Sequence, residues 1–420
     1  MSATIATLSA ILKEFYLGPI AEQLNQEVLV YDLFQKATVD WSGKTVIIPV
    51  HVRRNSAVGF AADGGALPTG TDQEGYEKLT VSAKFLYGKF RITGPAISAA
   101  KAGANTFISY VDAEMNKLVE DVKIKANQAA IHGGNVIGYI WEKTAAGATR
   151  QYSGRQDLLL GVGNTVDLIR LDTYATVVAG AQINAVTADS ITFNAAPNTA
   201  GVAPGVVIAL QVATGVVAGG AANEPQGITS NLASTAHFGV DRTTATGIAA
   251  ELQSNHLTVS NGGVPVIFDA YQALNLDRMQ AVLDTILVRS SLAPVLILMN
   301  PVMRQEYTSL LVGTAAANLF VQAGDANKKG DGGFTGLSYG GIPIRTSQNM
   351  FLGSFFFLTP KEWKLTELEA PGFADLDGAV LARSFSGGAM TDSYEGFYRI
   401  YYNTVCLRPN ANGVLTGIDF

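Results

Sequence analysis

Between Asn105 and His132 the sequence NTFISYVDAEMNKLVEDVKIKANQAAIH repeats its apolar residues at helical steps. Ile108, Val111, Met115, Leu118, Val122, Ala126 and Ala129 follow i+3 and i+4 intervals and make one stripe. Asn105 is suited to cap the start, and Gly133 with Gly134 to stop the end. Glu114 with Lys117, Glu120 with Lys123 and Asp121 with Lys125 fall within one turn of each other on the helix surface. At about 1.5 Å rise per residue the helix reaches roughly 40 Å, far above the usual three turns. A beam of that length sets the size of what packs on it.

The second constraint is NSAVGFAADGGALPTGTDQEGY, residues 55–76, which separates TVIIPVHVRR from EKLTVSAKFLYGKFRI. Both flanks read as strands: alternation puts Leu79, Val81 and Ala83 on one face and Thr80, Ser82 and Lys84 on the other. The pair forms a long, half-exposed ribbon. Hairpin loops usually take about two to five residues, and structureless loops above roughly 12 to 15 are uncommon unless they serve a function. This tongue has no apolar periodicity with which to bury itself on its own body. Either it is disordered, or it lies on something outside its own domain.

Residues 1–40 read as an extended arm with one or two short helices, interrupted at Gly18 and Pro19. Between about 135 and 224 the chain turns to alanine, glycine, valine and threonine with few charges. INAVTADSITFNAAP reads there as two short strands around a turn, and GVAPGVVIALQVATG as further strand. This is a compact β insertion or a loose, glycine-rich excursion. From EPQGITS onward the pattern is α/β. VIFDAYQALNLDRMQAVLDTILVRS reads as helix, PVLILMN as a buried strand, PVMRQEYTSLLVG as a helix opened by Pro301, and GGIPIRTSQNM as strand. SFFFLTPKEWKLTELE and YEGFYRIYYNTVCLRPN add further strands, so a mixed sheet with flanking helices is expected.

Composition narrows the function classes. Of the 420 residues 48% are hydrophobic and only 15% charged, yet no run of about 18 apolar residues suggests a membrane span. Such a balance predicts surface buried against other subunits. The amino terminus lacks the basic and apolar regions of a secretory signal. A net charge of −6 is not the footprint of a chain built to grip nucleic acid. The single cysteine, Cys406, reads as a small buried hydrophobe.

Catalytic motifs fail on context. WSGKT at 41–45 lacks the earlier glycine of a phosphate loop and is followed by VIIPV, a strand, where that loop requires a helix. GLSYG at 336–340 fits a nucleophile elbow, but GIPI follows it and all four histidines lie upstream, so Ser338 reads as a turn residue. The histidines show no metal-ligand spacing. No catalytic residue, cofactor site or metal site emerges, and the chain is expected not to be an enzyme.

The order of the parts carries the rest. Arm, two-stranded tongue, beam helix ending in AAIHGG, then PQGI, an α/β region with LSYGGIPIRTSQNM, and finally YEGFYRIYYNTVCLRP resembles the major capsid proteins of tailed bacteriophages, the Hong Kong 97 (HK-97-like) family. The resemblance spans the chain except for 135–224. It implies an α+β fold with an N-arm at 1–40, an E-loop hairpin at 41–95, a P-domain spine helix at 96–134, a β-rich inserted domain at 135–224, an A-domain with P-domain strands at 225–395, and a C-terminal P-domain strand at 396–420. It implies self-assembly into hexamers and pentamers of an icosahedral head around double-stranded DNA, which is contacted weakly and without sequence specificity. The expected place is the virion, with assembly in the host bacterial cytoplasm and no membrane contact.

Partners implied by the family are a separate scaffolding protein, since the chain opens on arm-like sequence, a portal and a decoration protein. The E-loop tip, with Phe60, Asp63, Leu67, Pro68, Asp72, Glu74 and Tyr76, is the implied contact with the next subunit, and Phe60 and Leu67 are its anchors. Some relatives crosslink a tongue lysine to a neighbour; residues 55–76 contain no lysine, so no covalent crosslink is expected. The alternative within the same fold is an encapsulin nanocompartment, whose chains are shorter and lack a large β insertion.

Overall fold

The computed structural model describes residues 29–37, 41, 43–70, 74–95, 104–131, 136–141, 148–153, 162–170, 176–187, 190–197, 208–212, 225–232, 237–240, 255–258, 273–313, 337–350, 353–374, 381–386, 389–416 and 418. The long helix, α2, runs Ala104–Ile131, with the short α1 at Leu29–Leu33 before it. It starts one residue earlier than expected, so Asn105 lies inside the first turn and is not its cap; Gly133 and Gly134 fall outside the described residues. Val122, Ala126 and Ala129 are buried as the periodicity requires, but so are Ile124, Asn127, Ala130 and Ile131. The last turns are enclosed on more than one side because α1 and α3 (Ile228–Leu232) also pack there, contributing Val30, Ile228 and Leu232 to the same core.

The beam rests on a five-stranded sheet. Its longest strand, β18 (Ala389–Cys406), pairs antiparallel with β4 (Lys84–Thr93) along one edge. Along the other edge it pairs first with β17 (Ala382–Ser386) and then with β16 (Trp363–Phe373), and β1 (Gln35–Ala37) adds parallel to β16. Leu86, Gly88, Phe90 and Ile92 of β4 alternate toward the helix, and a Cβ on Gly88 would lie 2.5 Å from Val122 Cγ2. Glycine at 88 is therefore what lets helix and sheet close up. Trp363, Leu365, Tyr398, Ile400, Tyr402 and Cys406 complete this core, where Cys406 is fully buried as its sequence context requires.

Two sequence boundaries move. EKLTVSAKFLYGKFRI is not one strand: it breaks at Ala83, so that β3 (Gly75–Ser82) pairs with β2 (Thr45–Arg53) in a separate two-stranded ribbon while β4 joins the larger sheet. The boundary expected between 395 and 396 falls inside β18, and the residues after it return to another sheet as β19 (Gly413–Thr416).

That second sheet has six strands in the order β11 (Asn255–Thr258), β19, β15 (Phe355–Leu358), β12 (Leu296–Met299), β14 (Ile342–Thr346), β13 (Ser338–Tyr339). Helices α4 (Leu276–Ser290) and α5 (Pro301–Gly313) supply Met279, Val282, Ile286, Met303 and Tyr307 to its core. α4 is shorter than its sequence pattern because Asn275 leaves helical geometry to accept the Asp277 N–H, and Ser291 ends it in the left-handed region. α5 opens at Pro301 as expected.

Residues 136–212 contain a closed antiparallel barrel: β5 (Val136–Trp141), β6 (Thr149–Ser153), β7 (Thr165–Arg170), β8 (Thr176–Val186), β9 (Ser190–Phe193) and β10 (Ile208–Val212), in the cyclic order β10-β5-β6-β9-β8-β7. Val166, Leu168, Ile183, Ile191 and Phe193 are buried in it, so of the two readings of this segment the compact one describes the structure. The chain leaves α2 and returns through α3 at one place, since Thr229 Oγ1 donates to the Ile131 carbonyl at 3.1 Å.

Candidate subunit interface

Residues 54–74 connect β2 to β3. The ribbon's inner face buries Val46, Val52, Leu79 and Val81, while Ile47 and Tyr76 on the outer face stay exposed. Beyond it the tongue folds back on itself without a strand ladder. Gly65 N–H donates to the Ala62 carbonyl at 2.9 Å, closing a turn whose Gly64 has φ +71°. Asn55 Oδ1 accepts the Ala57 N–H at 2.8 Å and stiffens the root. The limbs approach so closely that a Cβ on Gly59 would lie 3.3 Å from Pro68 and one on Gly70 would collide with Ser56 and Ala57. With the interior of the tongue filled by backbone, its side chains point outward.

Phe60 is wholly exposed, and Leu67 and Val58 retain 80% and 84% of their surface. Covering a side chain of this kind is worth about 1.5–3 kcal/mol, and nothing in the described chain covers these. Asp63 sits in the turn, and Pro68 is half-buried against Gly59. The structure thus brings Phe60, Asp63, Leu67 and Pro68 into one projecting segment. Glu74 and Tyr76 lie at its neck, where the Tyr76 hydroxyl donates to Glu74 at 3.1 Å and the His51 ring packs 5.1 Å from that of Tyr76. That bond, with the carboxylate's charge, raises the Tyr76 phenol above its ordinary range. Asp72 lies outside the described residues.

A second exposed apolar group was not singled out from the sequence. On the sheet face turned away from α2, Phe85 and Tyr87 of β4 meet Tyr401 of β18 edge-on, at 4.9 and 5.7 Å between ring centroids. The Tyr87 hydroxyl donates to that of Tyr401 at 3.1 Å, and this bond is the main reason its pKa is pushed up to about 12. Arg399 stands 5.5 Å from the Tyr401 ring and donates to Glu369 through Nε at 2.9 Å, which raises the guanidinium further. The signal was available: in KFLYGKF the aromatics at 85 and 87 alternate with residues 86 and 88, which face the helix.

The rejected motifs take the expected local forms. Gly43, φ +67°, turns the chain into β2, so WSGKT begins a strand. Ser338 is exposed on β13, and Gly340 and Gly341, both at positive φ, lead into β14 where a nucleophile elbow would need a helix. Among the described residues no three His, Cys, Asp or Glu side chains gather as a metal would require.

No protein-family model matches the sequence, and no curated protein does. The fold, in contrast, is similar to solved structures over its whole length. The subunit in the cyanophage A-1(L) capsid asymmetric unit aligns with a TM-score of 0.56 at 12% identity, covering 99% of each chain. The capsid of a native GTA particle gives 0.50 at 11% identity, with all of both chains covered. At such identities only the path of the chain is shared, but it is shared from end to end: this chain has the phage major capsid fold.

Proposed function

We propose that the chain is the major capsid protein of a tailed bacteriophage, assembling as hexamers and pentamers into an icosahedral head that encloses double-stranded DNA. The observation that carries this reading is the tongue: a projection with Phe60 and Leu67 exposed and nothing among the described residues covering them. An apolar tip of that kind is stabilised by contact with another copy. In this reading 1–40 is the N-arm, the ribbon and tongue within 41–95 the E-loop, α2 the spine helix, the six-stranded sheet with α4 and α5 the A-domain, and the barrel an inserted domain. Phe60, Asp63, Leu67, Pro68, Asp72, Glu74 and Tyr76 form the contact with the adjacent subunit.

The role is mechanical rather than catalytic. Each tongue adds an interface to those made by the body, so losing one subunit means breaking several contacts together. Heterologous contacts of this kind close by rotation into rings. A net charge of −6 supports only weak, sequence-independent contact with packaged DNA. A scaffolding protein, a portal and a decoration protein are the partners in this reading, with assembly in the host cytoplasm and residence in the virion. Negative-stain electron microscopy of the purified chain tests it. Closed particles tens of nanometres across are expected from the intact chain and folded, unassembled subunits after deletion of residues 58–72; normal particles from that deletion would remove the tongue from the mechanism.

A further inference from the structure

The β2–β3 ribbon belongs to neither larger sheet, and along the chain Ala83 alone joins it to β4. Under the ribbon lies a tight turn, His237–Val240, in which His237 N–H donates to the Val240 carbonyl at 2.8 Å and Val240 N–H to the His237 carbonyl at 3.0 Å. Phe238 at φ +47° and Gly239 at φ +94° occupy its centre. Glycine adopts such a conformation freely; a phenylalanine does not, and it persists there only where its surroundings hold it. Most of the residues packed around Phe238 belong to the ribbon. Its ring is buried with Val52, Leu79 and Val81 of the ribbon and Val405 of β18, and its carbonyl accepts the Thr80 N–H of β3 at 3.0 Å. The preceding residue bonds to the body: His237 is fully buried, its ring edge-on to that of Phe238 at 4.9 Å, with Nε2 2.9 Å from the Cys406 carbonyl at the end of β18.

One half of the turn is therefore bonded to the body and the other half to the ribbon. We propose that residues 237–240 form a detachable clip that fixes the angle of the ribbon on the body, with Ala83 as the pivot. Another tie among the described residues, Asn403 Nδ2 to the Ser82 carbonyl at 2.7 Å, sits one residue from that pivot and restrains its position rather than the swing. When the ribbon lifts, Phe238 loses the contacts that hold it left-handed, so relaxation of the turn offsets part of the lost packing. A two-stranded ribbon without such support is marginal by itself. The clip thus lets one chain present its tongue in more than one direction, and it is argued on the single chain, independent of the capsid reading.

Hydrogen exchange on the full-length protein, read segment by segment, tests the clip. Phe238→Ala should speed exchange of residues 45–53 and 75–82 at least about tenfold while leaving β16 and β18 unchanged. Gly239→Ala retains the phenylalanine and strains only the turn, since no atom lies within 4 Å of the added Cβ, and it should speed the same two strands even where Phe238→Ala fails to fold. Unchanged exchange in the ribbon, or equal acceleration in β16 and β18, would make Phe238 an ordinary core residue and overturn the proposal.

Discussion

Asn127 lies in the buried part of α2, where an amide is costly unless paired, and its Oδ1 accepts the N–H groups of Val30 at 2.8 Å and Tyr31 at 3.0 Å. These are first-turn donors of α1, so a residue nearly a hundred positions away caps that helix. Asn127→Ala should lower stability by about 1–2 kcal/mol, read by urea denaturation, and detach α1 from the beam. Asn403 acts similarly: its Oδ1 accepts the N–H groups of Gln226 and Thr404, joining the return from the barrel to β18. Neither role was legible in the sequence, because local patterning identifies apolar faces but not the distant partners of a polar side chain. Tyr307 on α5 donates to the Ser338 carbonyl at 3.1 Å, and burial, with a smaller effect from Tyr339, pushes its pKa up from 10.0 to about 12. The folded state thus keeps a proton that the unfolded chain gives up. The stability this contributes is complete below about pH 10 and is lost as pH rises through about 12. Tyr307→Phe should flatten the fall of melting temperature across that window.

Strongly periodic elements were readable because a single buried face determines them. α2 occupies the interval its apolar stripe marked, α5 begins at its proline, and PVLILMN supplies the fully buried β12. The ends of elements were less readable, since Asn275 shortens α4 through a cap and Ala83 divides one run between two sheets, moving the buried face from Leu79 and Val81 to Gly88, Phe90 and Ile92. For the tongue, the sequence showed that it could not bury itself, but its folded-back course depends on close backbone approach at Gly59 and Gly70, which composition does not specify. Of the barrel's strands β8, β9 and β10 were legible, whereas β5, β6, β7 and the closure were not, because pairing β10 with both β5 and β7 is a long-range event. Its separability follows from structure: the barrel has a core of its own, and the flanking chain meets at Ile131 and Thr229. Replacing residues 136–212 by a short glycine-serine linker should therefore leave a cooperative thermal transition and the near-ultraviolet circular dichroism of the buried Trp363. Loss of both would show that the barrel is needed to fold the rest.

Among the described residues helix and sheet bury a large aliphatic core, yet Val58, Phe60, Leu67, Phe85 and Tyr87 remain on the outside, as do Ile47, Val288 and Val295. The composition, 48% hydrophobic with 15% charged, indicated such a surplus without locating it. Part of it lies on the tongue and on the open face of the five-stranded sheet, where a partner could cover it. The tongue also has a consequence for proteolysis. Its described residues form no strand ladder and are largely exposed, the form in which proteases accept a chain, but residues 55–76 contain neither lysine nor arginine. Trypsin can cut only at the root, after Arg54, whereas chymotrypsin has Phe60 within the tongue; Leu67 is shielded by the proline that follows it. Brief chymotrypsin treatment should therefore split free subunits near residue 60 into two fragments, and burial of the same bond would leave the chain whole. Under the proposed assembly, the rate at which that cleavage disappears serves as a clock for the moment each tongue finds its neighbour.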